Sequence, residues 1–229
     1  MKTALITGAA GNLGRAVTER FISGGYFVSG TVIPGDHSNL DFSADQFEKT
    51  SLDLMDEKAA GKLVMDLAER KGKIDSAILT VGGFAMGSVK DTSARDIMGQ
   101  YQLNFETTYN VARPLFTKMM EQGHGRIFMM GSKPGLSTAN GKGMVAYSLA
   151  KSLLFRLAEL MNNESRHLDV VTTVVVPSTI DTPQNRKAMP DGNFDNWVTP
   201  QAIAEILFWH CSAEASVLRE PVLKVYNKA

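Results

Sequence analysis

A tyrosine and a lysine stand four residues apart in the segment AYSLAKSLLF, which covers residues 146–155. Positions i and i+4 of an α-helix lie on one face, so the Tyr147 and Lys151 side chains are expected to point the same way. A free phenol has a pKa of about 10, and a neighbouring ammonium lowers that pKa because it favours the phenolate. The pair therefore predicts a tyrosine that exchanges protons with a substrate near neutral pH, although this spacing also arises by chance.

Two further polar residues occupy positions where they could assist such a proton transfer. Ser132 ends the strand-like segment GRIFMMGS, and ligands of doubly wound sheets bind at the carboxyl ends of strands. Asn104 lies inside a long helical pattern, in the segment QLNFETTYN. Simpler roles remain open from the residues alone: Ser132 could cap the end of the strand, and Asn104 could mark a helix bend.

The first turn of the chain, TGAAGNLG at residues 7–14, has the pattern of a dinucleotide-binding loop. Gly8, Gly11 and Gly14 permit a tight turn, close approach of the backbone to a phosphate, and close packing of helix on strand. The backbone N–H groups of Asn12 and Leu13 would face a pyrophosphate, assisted by the helix dipole. The turn follows a strand and opens a helix, which favours cofactor binding over an ordinary βα turn.

The residues that would contact the adenosine part of a dinucleotide are less clear. An acidic residue usually ends the second strand and binds the ribose hydroxyls. Here that strand ends with Thr31 and Val32, and Asp36 comes a few residues later, with no arginine nearby. The choice between NAD and NADP is therefore open. Asp53 is a candidate hydrogen-bond partner for the adenine, or else a helix cap in the same region as Asp56.

Apolar strand-like runs alternate with longer helical patterns along the chain. The strands are expected at residues 3–7, 26–32, 74–81, 125–132 and 169–177, with another before Asp53. The helices are expected at residues 13–23, 56–71, 94–121 and 144–162, with an interruption near Gly99 and a kink at Pro114. This alternation predicts an α/β fold: a single-domain, Rossmann-type, doubly wound parallel β-sheet over residues 1–229, flanked by helices on both faces. The long polar segment 178–199 is expected to be a loop that covers the substrate.

The composition argues against several classes of protein. The 24 basic and 24 acidic residues are interspersed and give no net charge, so a nucleic-acid partner is not expected. Nor is any apolar run long enough to cross a bilayer. Cys211 is the single cysteine and the four histidines are scattered, which predicts neither a disulfide nor a metal site. We therefore expect a cytoplasmic protein without a membrane partner.

Taken together, these motifs resemble those of the short-chain dehydrogenase/reductase family, from TGAAGNLG through YSLAK (147–151) to PSTIDT (177–182). By this resemblance Tyr147 is the catalytic acid/base, and Lys151 lowers its pKa and binds the nicotinamide ribose. Ser132 positions the substrate carbonyl, and Asn104 holds a water for proton relay. The resemblance also implies cofactor contacts, at Gly82, Pro177 and Thr182. The segment TVGG, residues 80–83, departs from the Asn-Asn-Ala-Gly-like stretch of the family.

Within that family the chain is most similar to the dihydropteridine reductase branch. The similarity lies in VGGFAMG, GSKPGL and the segment DTPQNRKAMPDGNFDNW, residues 181–197. The chain departs from that branch because it has Ser132 and Asn104 and lacks the acidic residue at the end of the second strand. A longer loop is also expected at residues 133–143. In the 181–197 segment, three residues could line a substrate pocket or belong to a solvated loop: Asn185, Arg186 and Trp197.

The resemblance implies an NAD- or NADP-dependent oxidoreductase. Its substrate would be a small molecule, either a carbonyl or alcohol compound or a quinonoid dihydropterin. It further implies a homodimer or homotetramer that associates through the helices at 100–121 and 144–162. The alternative is a catalytically silent protein that binds NAD(P)H as a sensor or assembly component. An intact set of four catalytic residues argues against this alternative, since a protein that only binds the dinucleotide has no need of them.

Overall fold

Seven strands form one sheet within residues 1–228, which are the residues that the computed structural model describes. In sheet order they are β3 (Phe47–Ser51), β2 (Tyr26–Val32), β1 (Lys2–Thr7), β4 (Ser76–Leu79), β5 (His124–Met130), β6 (Asp169–Pro177) and β7 (Val222–Val225). Each neighbouring pair is parallel. The order of the strands reverses between β1 and β4, and ligands of such sheets bind in the crevice at this switch point.

The helices cover both faces of the sheet and connect most of the successive strands, whereas β2 and β3 are joined by a loop. They are α1 (Asn12–Ser23), α2 (Glu57–Lys71), α3 (Ala94–Tyr101), α4 (Thr107–Gln122), α5 (Lys133–Leu136), α6 (Val145–Glu164), α7 (Pro183–Ala188) and α8 (Pro200–His210). Side-chain caps define several of their starts, because the first N–H groups of a helix have no partner within it. Asp56 caps α2 in this way, and Thr182 and Thr199 cap α7 and α8, each before a proline.

Two apolar cores lie on opposite faces of the sheet. Helices α2, α4 and α6 pack on one face, with Leu67, Leu115 and Leu154 fully buried. Helices α1 and α8 pack on the other, with Phe21 and Leu207 fully buried. Successive residues of the central strands alternate between the two cores, as the period of two of a β-strand requires. The expected doubly wound parallel sheet, flanked by helices on both faces, is confirmed.

Several boundaries differ from the sequence expectation. The helical pattern at 94–121 consists of α3, a π-helical turn at Gln102–Glu106, and α4. The interruption expected near Gly99 is therefore this π-helical turn, which begins at Gln102, and α4 continues through Pro114 without a break. The expected loops at 133–143 and 178–199 contain α5 and α7, with 3₁₀ turns at Thr138–Asn140 and Phe194–Asn196. Strand β7 was not expected, because only four residues pair with β6 at that edge.

None of the helices within residues 1–228 is both long enough and apolar enough to cross a bilayer. In the same part of the chain, no three side chains of histidine, cysteine, aspartate or glutamate lie together in a way that could hold a metal ion.

Candidate active site

The turn between β1 and α1 brings the backbone very close to itself. A Cβ atom added to Gly14 would lie 2.0 Å from the carbonyl oxygen of Gly8, so no side chain fits there. The first turn of α1 carries no acidic residue. Its free N–H groups and the positive end of its dipole therefore favour an anion such as a pyrophosphate.

A cavity of about 630 Å³ extends from this turn across the switch point of the sheet. It lies against the carboxyl ends of β1, β2 and β4 and against the π-helical turn. The expected cofactor residues that line it are Gly8, Gly11, Asn12, Leu13, Gly14, Asp53, Gly82 and Thr182. The structure thus brings together eight of the expected cofactor residues around a space that a dinucleotide could enter.

Two carboxylates line the end of the cavity next to β2. Asp36 accepts a hydrogen bond from the backbone N–H of Ser38 at 2.7 Å. Hydrogen bonds with Ser38, first the one with its side chain and then this one with its backbone, keep the pKa of the Asp36 carboxyl below its ordinary value. Asp53 accepts from the N–H of Met55 at 2.9 Å, whereas the cap of α2 is Asp56. No lysine or arginine is among the described residues that line this cavity.

Asn104 lies fully buried within the π-helical turn and holds the chain that follows β4. Its Oδ1 accepts from the N–H of Gly83 at 3.0 Å, and its Nδ2 donates to the Gly83 carbonyl at 3.0 Å. A Cβ atom added to Gly82 would lie 2.7 Å from Asn104 Oδ1 and 3.0 Å from Lys151 Nζ. The amide and the ammonium therefore converge on Gly82, and only a glycine leaves room for both.

The Lys151 side chain is buried and bound to the end of β5. Its Nζ donates to the Met130 carbonyl at 2.6 Å and lies 6.0 Å from the centre of the Tyr147 ring. Burial disfavours the charged form and lowers the pKa of Lys151 to about 8. The two side chains share one face of α6, as the spacing predicted. Lys151 contacts the Met130 carbonyl and Tyr147 contacts the Ser132 side chain, so both face the end of β5.

Tyr147 is itself largely enclosed, and this has a stronger effect on its acidity than its neighbours have. Burial raises the pKa of the Tyr147 phenol, and a hydrogen bond with the Ser132 side chain lowers it to a smaller extent. Lys151 is not among the causes of the shift. For the chain by itself, the expectation that Lys151 brings this pKa below its ordinary value is therefore wrong, because desolvation dominates.

Ser132 has two roles in the structure. Its hydroxyl accepts from the N–H of Gly135 at 3.1 Å and so caps α5, as the simpler interpretation proposed. The same buried side chain also contacts Tyr147 through the hydrogen bond described above. The structure thus brings Ser132, Tyr147 and Lys151 together, with Lys151 Nζ next to Gly82. These three residues lie outside the cavity lining, and so does Pro177 at the end of β6.

The segment 178–199 is braced by its own side chains. Arg186 forms two hydrogen bonds with Asp181 and lies over the ring of Phe194, which packs against Trp197. The Asn185 amide donates to the Ile180 carbonyl at 2.8 Å. Asn185, Arg186 and Trp197 do not line the cavity. Arg186 is exposed, as expected of a solvated loop, whereas Trp197 is buried within the segment and Asn185 is partly buried.

Some residues at the site were not identified from the sequence. Gln102, Leu103 and Thr107 line the cavity from the π-helical turn and the start of α4. Their position depends on the extra residue of the π turn, which carries no sequence signal of its own. Phe84 packs edge-on against Tyr147 at 5.1 Å between ring centres, with 60% of its surface exposed. Its place directly after Gly82 and Gly83 was the available signal.

Comparison with known proteins gives a consistent result. The model of the family described as short chain dehydrogenase matches residues 2–193. A dihydropteridine reductase of Dictyostelium discoideum is 25% identical over 234 residues, which cover 100% of this chain and 96% of that protein. An acetoacetyl-CoA reductase of Acinetobacter is 26% identical and covers 80% of this chain and 75% of its own length. The fold is that of a short chain dehydrogenase structure from Bacillus anthracis, with a TM-score of 0.86, 18% identity, and coverage of 99% and 95% of the two chains.

Proposed function

Because this chain belongs to the short chain dehydrogenase family, we propose that it transfers hydride between a nicotinamide dinucleotide and a small carbonyl or alcohol substrate, with Tyr147 carrying the proton. The family consists of oxidoreductases that generally use NAD(H) or NADP(H). The observation that supports the proposal is the meeting of Ser132, Tyr147 and Lys151 at the end of β5, beside the cavity. The nicotinamide, when bound, would supply or accept the hydride.

The residues present fit such a cofactor. The first turn of α1, which has no acidic residue, and the close backbone approach at Gly14 would hold the pyrophosphate. Gly82 and Thr182 would lie along the rest of the dinucleotide. In reduction, the Tyr147 hydroxyl would give its proton to the substrate oxygen. The Ser132 hydroxyl would bind that same oxygen and orient it.

Lys151 would act on the charge that remains after this proton transfer. A tyrosine that has lost its proton in a buried site needs a nearby positive charge, and the Lys151 ammonium is held in place by the Met130 carbonyl. Asn104 would position the Gly82–Gly83 segment beside that ammonium through its two hydrogen bonds with Gly83.

Replacement of Tyr147 with phenylalanine tests this assignment. The Y147F variant is expected to bind dinucleotide with unchanged affinity and to lose about 100-fold or more in kcat, because it has no transferable proton. The matched control is Tyr101→Phe, in α3, which should keep wild-type turnover. If Y147F retained most of the wild-type activity on a confirmed substrate, the proposed role of Tyr147 would be wrong.

Of the two dinucleotides, we propose NAD(H) as the preferred one. An adenosine 2′-phosphate near the end of β2 would meet the Asp36 carboxylate, and the described residues that line the cavity include no lysine or arginine to neutralise it. Lys49 lies outside the lining, and its ammonium donates to the Ser38 carbonyl at 3.5 Å. Calorimetric titration should give a lower Kd for NADH than for NADPH, and Asp36→Ala should narrow the difference. Equal affinities in the wild-type protein would contradict this preference.

A quinonoid dihydropterin is the second candidate substrate. The relative named dihydropteridine reductase matches essentially the full length of both chains, whereas the acetoacetyl-CoA reductase matches only 80% of this one. A panel of ketones, quinones and quinonoid dihydropterin, followed by loss of NADH absorbance, separates the candidates. If the protein oxidises NADH with quinonoid dihydropterin but with none of the ketones, the pterin is favoured as the substrate. Dinucleotide binding without turnover on any compound would favour the silent-sensor alternative.

We also propose that the protein forms a homo-oligomer through the outer face of α4 and α6. A groove of about 400 Å³ between these helices is lined mainly by apolar side chains, among them Phe116 and Leu157. Leu160 is 54% exposed on the same face. The groove also carries two arginines and Glu164, so a second copy related by a two-fold axis could pair opposite charges.

A further inference from the structure

One hydrogen bond joins the phosphate-binding turn to the segment at 178–199. The Nδ2 of Asn12, the first residue of α1, donates to the Oε1 of Gln184 in α7 at 2.8 Å. The two residues are 172 positions apart in the chain, and both are exposed. The contact is therefore formed by tertiary structure alone, at the surface of the molecule.

This bond lies at the rim of the cavity described above. Asn12 lines the cavity from one side, and Thr182, which caps α7, lines it from the other. The first turn of α1 is also where a pyrophosphate would lie. A contact between Asn12 and Gln184 therefore crosses the part of the rim that is closest to the proposed phosphates.

The segment that carries Gln184 is braced by hydrogen bonds among its own residues. The Asp181–Arg186 pair and the bond from Asn185 to the Ile180 carbonyl tie α7 to its own segment. Its far end is held by Asn227, whose amide donates to the Trp197 carbonyl at 2.9 Å. Within residues 1–228, the hydrogen bond from Asn12 to Gln184 links α7 to the phosphate-binding turn.

We propose that Asn12 and Gln184 form a latch that holds α7 against the phosphate-binding turn and controls the exchange of the dinucleotide. This inference rests on the proposed function, because it takes the ligand of the cavity to be NAD(H). Both partners belong to the chain itself, so the bond is available with or without a bound ligand. Opening must break it both when the dinucleotide enters and when it leaves, so the latch slows both steps.

The latch therefore predicts a kinetic change without a change in affinity. In stopped-flow fluorescence with NADH, Asn12→Ala and Gln184→Ala should each raise the association and dissociation rate constants by a similar factor. That factor is about 2- to 10-fold, the value of one exposed neutral hydrogen bond. The Kd should stay within about 2-fold of wild type, because the two rates change together.

A double-mutant cycle separates a latch from two independent residues. The N12A/Q184A variant should be no faster than either single variant, because each alone already removes the bond. Exchange of the two side chains, in Asn12→Gln with Gln184→Asn, should restore slower exchange than in the double alanine variant. Multiplicative effects in the double alanine variant would overturn the latch.

The chain also contains a closely matched control. The segment Thr182-Pro183-Gln184 at the start of α7 recurs as Thr199-Pro200-Gln201 at the start of α8, with a threonine cap in both cases. Gln201→Ala removes an exposed glutamine from the same helical position and should leave both rate constants unchanged. An equal effect of Q201A and Q184A would likewise overturn the latch.

Other outcomes identify which proposal has failed. A rise in Kd that comes from dissociation alone would mean that Asn12 or Gln184 contacts the dinucleotide directly, and it would overturn the latch but not the oxidoreductase function. Rate constants equal to those of wild type in both alanine variants would do the same. Failure of the wild-type protein to bind either NADH or NADPH would overturn the proposed function and the latch together.

Discussion

Lys151 combines a buried position with a positive charge, and these two properties oppose each other. Its ammonium is bound by the Met130 carbonyl, and its pKa is lowered to about 8 by burial. Tyr147 is affected in the opposite sense, because burial raises the pKa of a phenol. Burial therefore shifts both groups towards their neutral forms, although Lys151 keeps its charge below about pH 8, and the proposed proton transfer would create a phenolate next to that ammonium.

This arrangement predicts that activity and stability change in opposite directions as the pH rises above 8. Turnover should fall as pH passes through about 8, because the neutral amine no longer stabilises the phenolate. The free energy of unfolding should gain a rising contribution from Lys151, because from about pH 8 to about 10.5 the unfolded chain binds a proton that the folded chain has lost. A pH profile of kcat, with urea denaturation at the same pH values, measures both.

The variant Lys151→Met tests the same interpretation, because it removes the buried charge and keeps most of the side-chain volume. At pH 7 it should unfold with a free energy about 2 kcal/mol higher than wild type, since the relieved burial of charge exceeds the loss of one hydrogen bond. The difference should shrink as the pH approaches 10. A K151M protein less stable than wild type at pH 7 would contradict this interpretation.

At the scale of the elements, the β1–α1 turn and the π-helical turn carry the geometry of the site. The first brings α1 against the carbonyl of Gly8, which requires a glycine at position 14. The second places Asn104 inward against Gly83 while Gln102 and Leu103 face the cavity. Both are departures from regular structure at the switch point of the sheet, where irregular backbone is commonly associated with function.

Replacement of a glycine with alanine should have opposite effects on the free energy of unfolding at Gly14 and at Gly61. Gly14→Ala places a methyl group 2.0 Å from the Gly8 carbonyl oxygen, so it should lower the free energy of unfolding by about 1–3 kcal/mol and weaken NADH binding. A Cβ atom added to Gly61, within α2, has no neighbour within 4 Å, so Gly61→Ala should raise the free energy of unfolding by about 0.5–1 kcal/mol. Urea denaturation measures both, and equal effects in the two variants would refute the close approach at Gly14.

At the scale of the whole molecule, the outer face of α4 and α6 remains apolar after the sheet has been covered. The inner faces of these helices supply buried residues such as Leu115 and Leu154, yet Leu153 and Leu160 stay exposed. An apolar groove flanked by charged residues is typical of a surface that contacts another protein. In this chain a second copy would cover it on both partners at once.

If the outer face of α4 and α6 is the interface, replacing one of its leucines with a charged residue should lower the molar mass of the protein in solution. Leu160→Glu should shift the protein towards the monomer in light scattering, because a buried carboxylate at the interface would have no partner. Met65→Glu changes an exposed apolar residue on α2 and should leave the mass unchanged. A monomeric wild-type protein at high concentration would remove the proposed oligomer.

The sequence by itself determined those features that depend on neighbours along the chain. The glycine turn, the alternation of strands and helices, and the common face of Tyr147 and Lys151 all follow from backbone geometry and side-chain period. The doubly wound sheet followed from the same patterns because right-handed crossovers leave few other topologies. Element boundaries were less well defined, as the short β7 and the interruption after Gly99 illustrate.

Only the tertiary structure decided which side chains meet and how water is excluded from them. The contact between Asn12 and Gln184 and the convergence of Asn104 and Lys151 on Gly82 join distant parts of the chain, so no local pattern records them. The raised pKa of Tyr147 depends on burial, which spacing along a helix cannot measure. The residue types indicated the kind of chemistry, and the packing of the fold set the distances and the desolvation on which that chemistry depends.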